Sequence, residues 1–216
     1  MPAEHTLRDH LCEIGKSIFD RGLTHGSTGN LSVRVDEGWL VTPTGSSLGW
    51  LEPDRLAKID DSGRPVSGDP PTKELALHLA MYRQQAGFGA VVHLHATHSV
   101  AVSVLADVNP DDVLPPLTAY YVMRVGRLPL IGYHPPGDPA LADAVGLAAA
   151  RHHALLLANH GPVVAGRDLL AAADAIEELE ETARLFLLLR GERVRTLTAE
   201  QVARLRDGPT TKGSGA

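Results

Sequence analysis

The chain has 216 residues, of which 44% are hydrophobic but only 4% aromatic, and it carries a formal net charge of -6. This is enough chain for one large aliphatic core, and the negative charge excludes a general nucleic-acid or membrane-surface binder, which needs a positive field. One cysteine, Cys12, excludes an internal disulfide framework and fits a reducing, cytoplasmic setting, and no run of about 18 apolar residues marks a membrane span. No linker rich in glycine, serine or proline breaks the chain before its end, so residues 1–206 read as a single domain and residues 207–216 as a mobile tail.

Residues 6–21 carry Leu7, Leu11, Ile14, Ile18 and Phe19 at helical spacing, and Gly22 supplies the stop, which predicts an amphipathic packing helix. The stretch 23–35 begins with Thr24, His25, Gly26, Ser27, Thr28 and Gly29 and opens into an alternating strand. A loop of that composition either turns backbone N–H groups toward an anion or is an ordinary turn. A second strand at 39–42 ends in Pro43-Thr44-Gly45-Ser46-Ser47, and two such loops at neighbouring strand ends suit convergence on one phosphate. Asp60-Asp61-Ser62-Gly63 is a hairpin signal between 56–59 and 65–67.

Asp69-Pro70-Pro71-Thr72 caps a predicted helix at 73–84, with Leu75, Leu79 and Tyr82 on its buried stripe. Glu74 falls in the first turn, where the helix dipole favours a carboxylate, and His78 follows on the same face as an ordinary half-buried residue. Residues 90–92 are small or β-branched and lead into His93-Leu94-His95. Side chains two apart on a strand share a face, which sets these histidines roughly 6 to 7 Å apart at the backbone, a span that suits one divalent metal. A short apolar helix at 99–105 and a proline-rich loop at 109–116 follow, then an irregular connection through 120–123 and 128–132.

An alanine-rich helix is predicted at 138–152 and a buried strand at 154–158. That strand ends in Asn159-His160-Gly161-Pro162, a third histidine where glycine permits close backbone approach. Residues 168–190 form a long helix whose Glu177, Glu178, Glu180 and Glu181 read as solvated surface, and Thr198-Ala199-Glu200-Gln201 reads as the cap of a last helix.

Several of these pieces, in this order, resemble the class II aldolase and adducin head family. They are Thr28-Gly29-Asn30-Leu31-Ser32, Thr42-Pro43-Thr44-Gly45, Glu74-x-x-x-His78, Val91-Val92-His93-Leu94-His95-Ala96-x-His98 and Asn159-His160-Gly161. The resemblance implies an α/β fold, a three-layer α/β/α sandwich around a largely antiparallel central sheet, assembled as a homotetramer with active sites between subunits. It implies that His93, His95 and His160 hold zinc or another divalent metal. Glu74 is implied as the catalytic acid/base, also ligating the metal when substrate is absent. Thr28, Gly29, Asn30, Thr44 and Gly45 are implied as binders of the substrate phosphate. Family members commonly place two serines where this chain has Thr72 and Lys73; Thr72 keeps a hydroxyl, and Lys73 adds a charge for phosphate or carboxylate. Tyr120 or Tyr121 is the candidate proton donor reaching a neighbour's site.

Within the family, the runs 21–30 and 42–49 are similar to the 3-oxo-tetronate 4-phosphate decarboxylases. That likeness implies a phosphorylated sugar acid as substrate and carbon dioxide and dihydroxyacetone phosphate as products. The ketone of such a substrate is β to the carboxylate, so loss of carbon dioxide leaves an enediolate whose charge a divalent metal stabilises. The rivals are an aldolase of the fuculose-phosphate or ribulose-phosphate type, a dehydratase of a phosphorylated methylthio sugar, and a non-enzymatic adducin-like interaction module. The presence of all three histidines and Glu74 favours catalysis.

Overall fold

The computed structural model describes residues 3–135 and 137–206, and the expectation of a mobile tail at 207–216 lies outside the described residues. Helix α1 (Glu4–Asp20) buries Leu7, Leu11 and Ile18 along one stripe. It ends as its sequence implies: Gly22 takes φ +72°, and the Leu23 N–H reaches back to the Ile18 carbonyl at 3.1 Å. Strands β1 (Asn30–Val35), β2 (Gly38–Val41), β3 (Ala57–Ile59) and β4 (Pro65–Ser67) follow as an antiparallel meander. The chain continues through α2 (Leu75–Gln84), β5 (Ala90–His93), α3 (Thr97–Ser103), α4 (Ala119–Arg124), β6 (Leu130–Ile131), α5 (Pro139–Ala149), β7 (Ala154–Leu157), β8 (Gly161–Gly166), α6 (Leu169–Leu188) and α7 (Ala199–Arg206).

The eight strands among the described residues join one sheet in the order β4-β3-β2-β1-β5-β8-β7-β6, antiparallel throughout except for β6 against β7. Strand side chains alternate between faces, and both faces are buried. Val91, Val163 and Leu155 pack with Met81, Tyr82 and Val145 of α2 and α5, whereas Val92, Leu31 and Val164 pack with Leu11, Ile18 and Leu179 of α1 and α6. Each fully buried Leu, Ile or Val contributes about 1.5–3 kcal/mol relative to exposure, so a helix layer on each face follows from the pattern. The three-layer α/β/α sandwich around a largely antiparallel sheet expected from the sequence is the fold observed.

The register brings one edge of the sheet into focus. Asn30 pairs with His93 across β1 and β5, His93 pairs with Val163 across β5 and β8, and Leu157 pairs with Gly161 at the β7–β8 turn. The starts of β1 and β8 therefore flank the end of β5. Two glycines make this approach possible. A Cβ on Gly29 (φ +79°) would lie 3.1 Å from the His93 carbonyl oxygen, and one on Gly161 (φ +150°) would lie 2.3 Å from that of Leu94.

Several local expectations change. Helix α2 starts at Leu75 rather than Lys73, because the Thr72 hydroxyl accepts the Glu74 N–H at 3.2 Å and turns the chain there, which leaves Glu74 at the N-cap instead of in the first turn. Residues 119–124 are a helix, not an irregular link, since the Thr118 hydroxyl accepts the Tyr121 N–H at 3.0 Å. Glu180 is not solvated surface. It is buried and accepts four hydrogen bonds from the start of α3: His98 N–H (2.8 Å), His98 Nδ1–H (2.8 Å), Ser99 N–H (2.8 Å) and Ser99 O–H (2.6 Å). The cap of α7 is reciprocal, Thr198 N–H to Gln201 Oε1 at 2.9 Å and Gln201 N–H to Thr198 Oγ1 at 3.2 Å. No helix among the described residues is long and apolar enough to cross a membrane.

Candidate functional site

The end of β5, the β7–β8 turn and the start of α2 deliver Glu74, His93, His95 and His160 to one point, with a donor atom of each within 4.8 Å of all the others. His160 Nε2 lies 3.1 Å from His95 Nε2 and 3.2 Å from Glu74 Oε1, and His93 Nε2 lies 3.4 Å from Glu74 Oε2. The three imidazole rings stand nearly edge to face, with centroids 4.7 to 5.1 Å apart. His93 donates its Nδ1–H to the Pro162 carbonyl at 2.9 Å, which fixes the tautomer and aims the Nε2 lone pair into the cluster. That Nε2 is buried with no hydrogen-bond partner, as is Glu74 Oε1. Converging lone pairs with orphaned buried atoms are costly unless a cation sits between them, and three imidazole nitrogens with one carboxylate oxygen suit a divalent metal such as zinc.

The electrostatics agree with that donor set. Burial pushes His93 down to about 3, and burial followed by the neighbouring His160 pushes His95 down, so both rings are neutral ligands at neutral pH. Burial raises the Glu74 carboxyl, but His160, the charge of His93 and the Asn30 amide outweigh it and hold Glu74 well below the usual carboxylate range. Glu74 is thus an anion in this arrangement.

Sequence reasoning missed the group behind Glu74. The Asn30 side chain donates to Glu74 Oε2 at 2.8 Å, and its Oδ1 accepts from His78 Nε2 at 2.5 Å. His78 is fully buried rather than half-buried, its Nδ1 lies 2.7 Å from Ser32 Oγ, and burial pushes it down to about 4. The signal was present: Asn30 and Ser32 sit two apart on a strand, and Glu74, His78 and Tyr82 recur at intervals of four.

The expected phosphate loops are less uniform. The Asn30 amide is committed to Glu74 and His78, and its main chain pairs with His93 in the sheet. The Thr28 hydroxyl donates to the His25 carbonyl at 2.6 Å and braces its own loop. Gly29 lies against the end of β5. Thr44 and Gly45 border a separate cavity of about 360 Å3 with Ser46, Ser47 and Arg55; the Thr44 N–H is bonded to the Pro70 carbonyl at 2.9 Å. Thr72 is buried beside Glu74, and Lys73 is exposed without an ion-pair partner among the described residues.

The two tyrosines separate cleanly. Tyr121 is 1% exposed in the core, so it cannot reach a neighbouring subunit and that alternative is corrected. Tyr120 is 60% exposed and remains the candidate. A cavity of about 550 Å3 opens beside the Glu74–histidine cluster, lined by His95 and His160 together with His25, Thr97, Tyr133, His134 and Asn159; nothing in the sequence marks Thr97, Tyr133 or His134.

A sheet of this topology with three histidines and a glutamate gathered at the ends of its central strands defines the class. The chain belongs to the class II aldolase and adducin N-terminal domain family, whose model matches residues 9–187. Within it, the chain is similar to proteins named 3-oxo-tetronate 4-phosphate decarboxylase. That of Cupriavidus necator is 50% identical over 190 residues, covering 88% of each chain. That of Escherichia coli is 48% identical over 204 residues, covering 94% of this chain and 96% of the relative. The crystal structure of YgbL from Escherichia coli matches with a TM-score of 0.92 at 47% identity, over 94% of this chain and 99% of that one.

Proposed function

We propose that the protein is a zinc-dependent lyase that decarboxylates 3-oxo-tetronate 4-phosphate to dihydroxyacetone phosphate and carbon dioxide. The observation that carries this reading is the 50% identity to a decarboxylase of that name along 88% of both chains. The convergence of Glu74, His93, His95 and His160 within 4.8 Å supports it, since a non-catalytic interaction module has no use for such a cluster.

His93, His95 and His160, with Glu74 when substrate is absent, would hold the ion, which when bound would supply Lewis acidity where charge develops on the substrate. The rest is work for the chain's own groups. As the bond between C1 and C2 breaks, its electron pair passes into the C2–C3 unit and carbon dioxide leaves. Glu74, an anion at rest, must first take up a proton from solvent, and then delivers it to C2, which becomes the hydroxymethyl carbon of the product. The loops carrying Thr28, Gly29 and Asn30 and carrying Thr44 and Gly45 bind the phosphate, the Thr28 hydroxyl and the Thr44 N–H exchanging their present partners, the His25 and Pro70 carbonyls, for it, with Thr72 and Lys73 beside them, because a net charge of -6 offers no general attraction to an anion. Tyr120 completes the site of a neighbouring subunit in a homotetramer, which its exposure supports. The single, partly buried Cys12 supports a reducing cytoplasmic setting.

The test is a comparison of kcat/KM for 3-oxo-tetronate 4-phosphate, its unphosphorylated counterpart and L-fuculose 1-phosphate. The phosphorylated acid should be strongly preferred. Faster aldol cleavage of the sugar phosphate would make the protein an aldolase, and indifference to the phosphate would remove the phosphate loops from the reading.

A further inference from the structure

Glu74 is held from behind by a chain of buried polar groups that the reaction itself does not require. A carboxylate only accepts, so Asn30 presents Nδ2–H to Glu74 Oε2 at 2.8 Å and Oδ1 to His78 at 2.5 Å. His78 must then carry hydrogen on Nε2, and as a neutral ring it accepts at Nδ1 from the Ser32 hydroxyl at 2.7 Å. Ser32 in turn accepts from the Tyr82 phenol at 2.9 Å. Each link fixes the direction of the next, from a phenol in the core to one oxygen of one carboxylate. Ser32 and His78 are 0% exposed, Tyr82 3% and Asn30 6%. The members come in pairs from two rigid elements, Asn30 and Ser32 two apart on β1, His78 and Tyr82 four apart on α2.

The other oxygen is treated differently. Glu74 Oε1 accepts no hydrogen bond and lies 3.2 Å from His160 Nε2. The terminal torsion of a glutamate is broad and nearly two-fold, so an unsupported carboxylate would exchange its oxygens freely. We infer that Asn30 and His78 are positioning residues that tie Glu74 Oε2 to the sheet; both oxygens border the histidine cluster, Oε2 at 3.4 Å from His93 Nε2, but only Oε1 is free of a hydrogen bond, so that proton delivery comes from that one oxygen in one direction. The inference rests on the acid/base role of Glu74 proposed above. It also assigns His78 a part in specificity of protonation that burial alone does not call for.

The experiment uses the zinc-loaded full chain with 3-oxo-tetronate 4-phosphate in deuterated water. It reads kcat per bound zinc, KM, zinc affinity by chelator competition, and the face of deuteration at the new hydroxymethyl carbon. His78→Leu fills the space without a donor and should lower kcat per bound zinc about 10²-fold, the scale of a small misplacement of a catalytic group, with KM little changed and deuterium on both faces. His78→Gln carries an amide nitrogen near the Nε2 position and should restore single-face delivery with kcat within about tenfold of native. Native kcat per zinc and single-face deuteration in His78→Leu would reduce the network to packing and overturn the inference. Should His78→Leu fail to fold, Asn30→Asp decides, since it keeps the shape but sets an acceptor against Oε2; native behaviour there overturns the inference equally. Glu74→Gln separates the two claims: native rate and selectivity in that variant would overturn the acid/base reading itself, and the positioning role with it.

Discussion

Glu180 gives the sharpest test of how the site is buttressed. Its buried carboxylate accepts four hydrogen bonds from His98 and Ser99, at 2.6 to 2.8 Å, and serves as the cap that α3 otherwise lacks. Glu180→Ala strands two backbone N–H groups and a hydroxyl in the interior. Each unsatisfied buried group costs about 1–3 kcal/mol, and losing one member of a buried charged network costs about 3–5 kcal/mol in total, because the separate losses do not add. For a chain of this size a kcal/mol moves Tm by about 2–4 °C, so the fall should lie between about 6 and 20 °C. Glu180→Gln keeps the volume but turns an amide N–H toward a donor, and about half that loss is expected. Calorimetric melts of the metal-free and zinc-saturated proteins measure both. Helix α3 begins directly after His95-Ala96, so Glu180→Ala should also reduce the Tm gain on adding zinc, the mark of weaker binding to the native state. A fall of less than about 2 °C, with an undiminished zinc-dependent gain, would refute the capping argument.

Other consequences follow from the same geometry. His95→Ala removes one of the four converging donors and should abolish tight metal binding; full occupancy by elemental analysis in an active variant would remove the proposed site. Gly161→Ala places a Cβ 2.3 Å from the Leu94 carbonyl at φ +150°, so the urea midpoint should drop by the equivalent of roughly 3 kcal/mol, and an unchanged midpoint would contradict the close approach. His78 titrates at about 4 in the fold against 6.5 ordinarily, so between these values the unfolded chain binds a proton that the native state refuses. Its contribution is therefore present above pH 6.5 and lost as pH falls through about 4, on the order of 3 kcal/mol. Unfolding of the metal-free protein at pH 7.5 and pH 4.5 should show a steeper loss in the native chain than in His78→Gln, and equal slopes would refute the assignment. Burial raises the Cys12 thiol to about 11, so its alkylation at pH 8 should run about 100-fold slower than that of an ordinary thiol. Labelling at the rate of a free thiol would show the thiol to be open.

What the sequence revealed depended on how local the information was. His93 and His95 announce themselves because one strand carries both, and Gly161 marks His160 because only glycine tolerates the approach to Leu94. The three-layer fold was legible only through the family resemblance; in the structure Val91 and Val92 alternate between its two cores. Glu180 was misread because its partners, His98 and Ser99, lie some 80 residues away, and a glutamate among glutamates offers no local sign of burial. The family resemblance implied a phosphate role for Asn30, while the partners of its side chain, Glu74 and His78, belong to another element that nothing local announces. Tyr120 and Tyr121 are indistinguishable by composition, and only the packing of α4 against α6 and α7 buries one and exposes the other.

The central claim is that this metal cluster removes carbon dioxide from a phosphorylated 3-oxo acid. The most direct measurement strips the protein with chelator, restores zinc in steps, and follows carbon dioxide and dihydroxyacetone phosphate together from 3-oxo-tetronate 4-phosphate. The account predicts both products in equal amounts, at a rate that rises with zinc and saturates at one ion per chain. Consumption of the substrate without carbon dioxide, or undiminished release from the stripped protein, would contradict it.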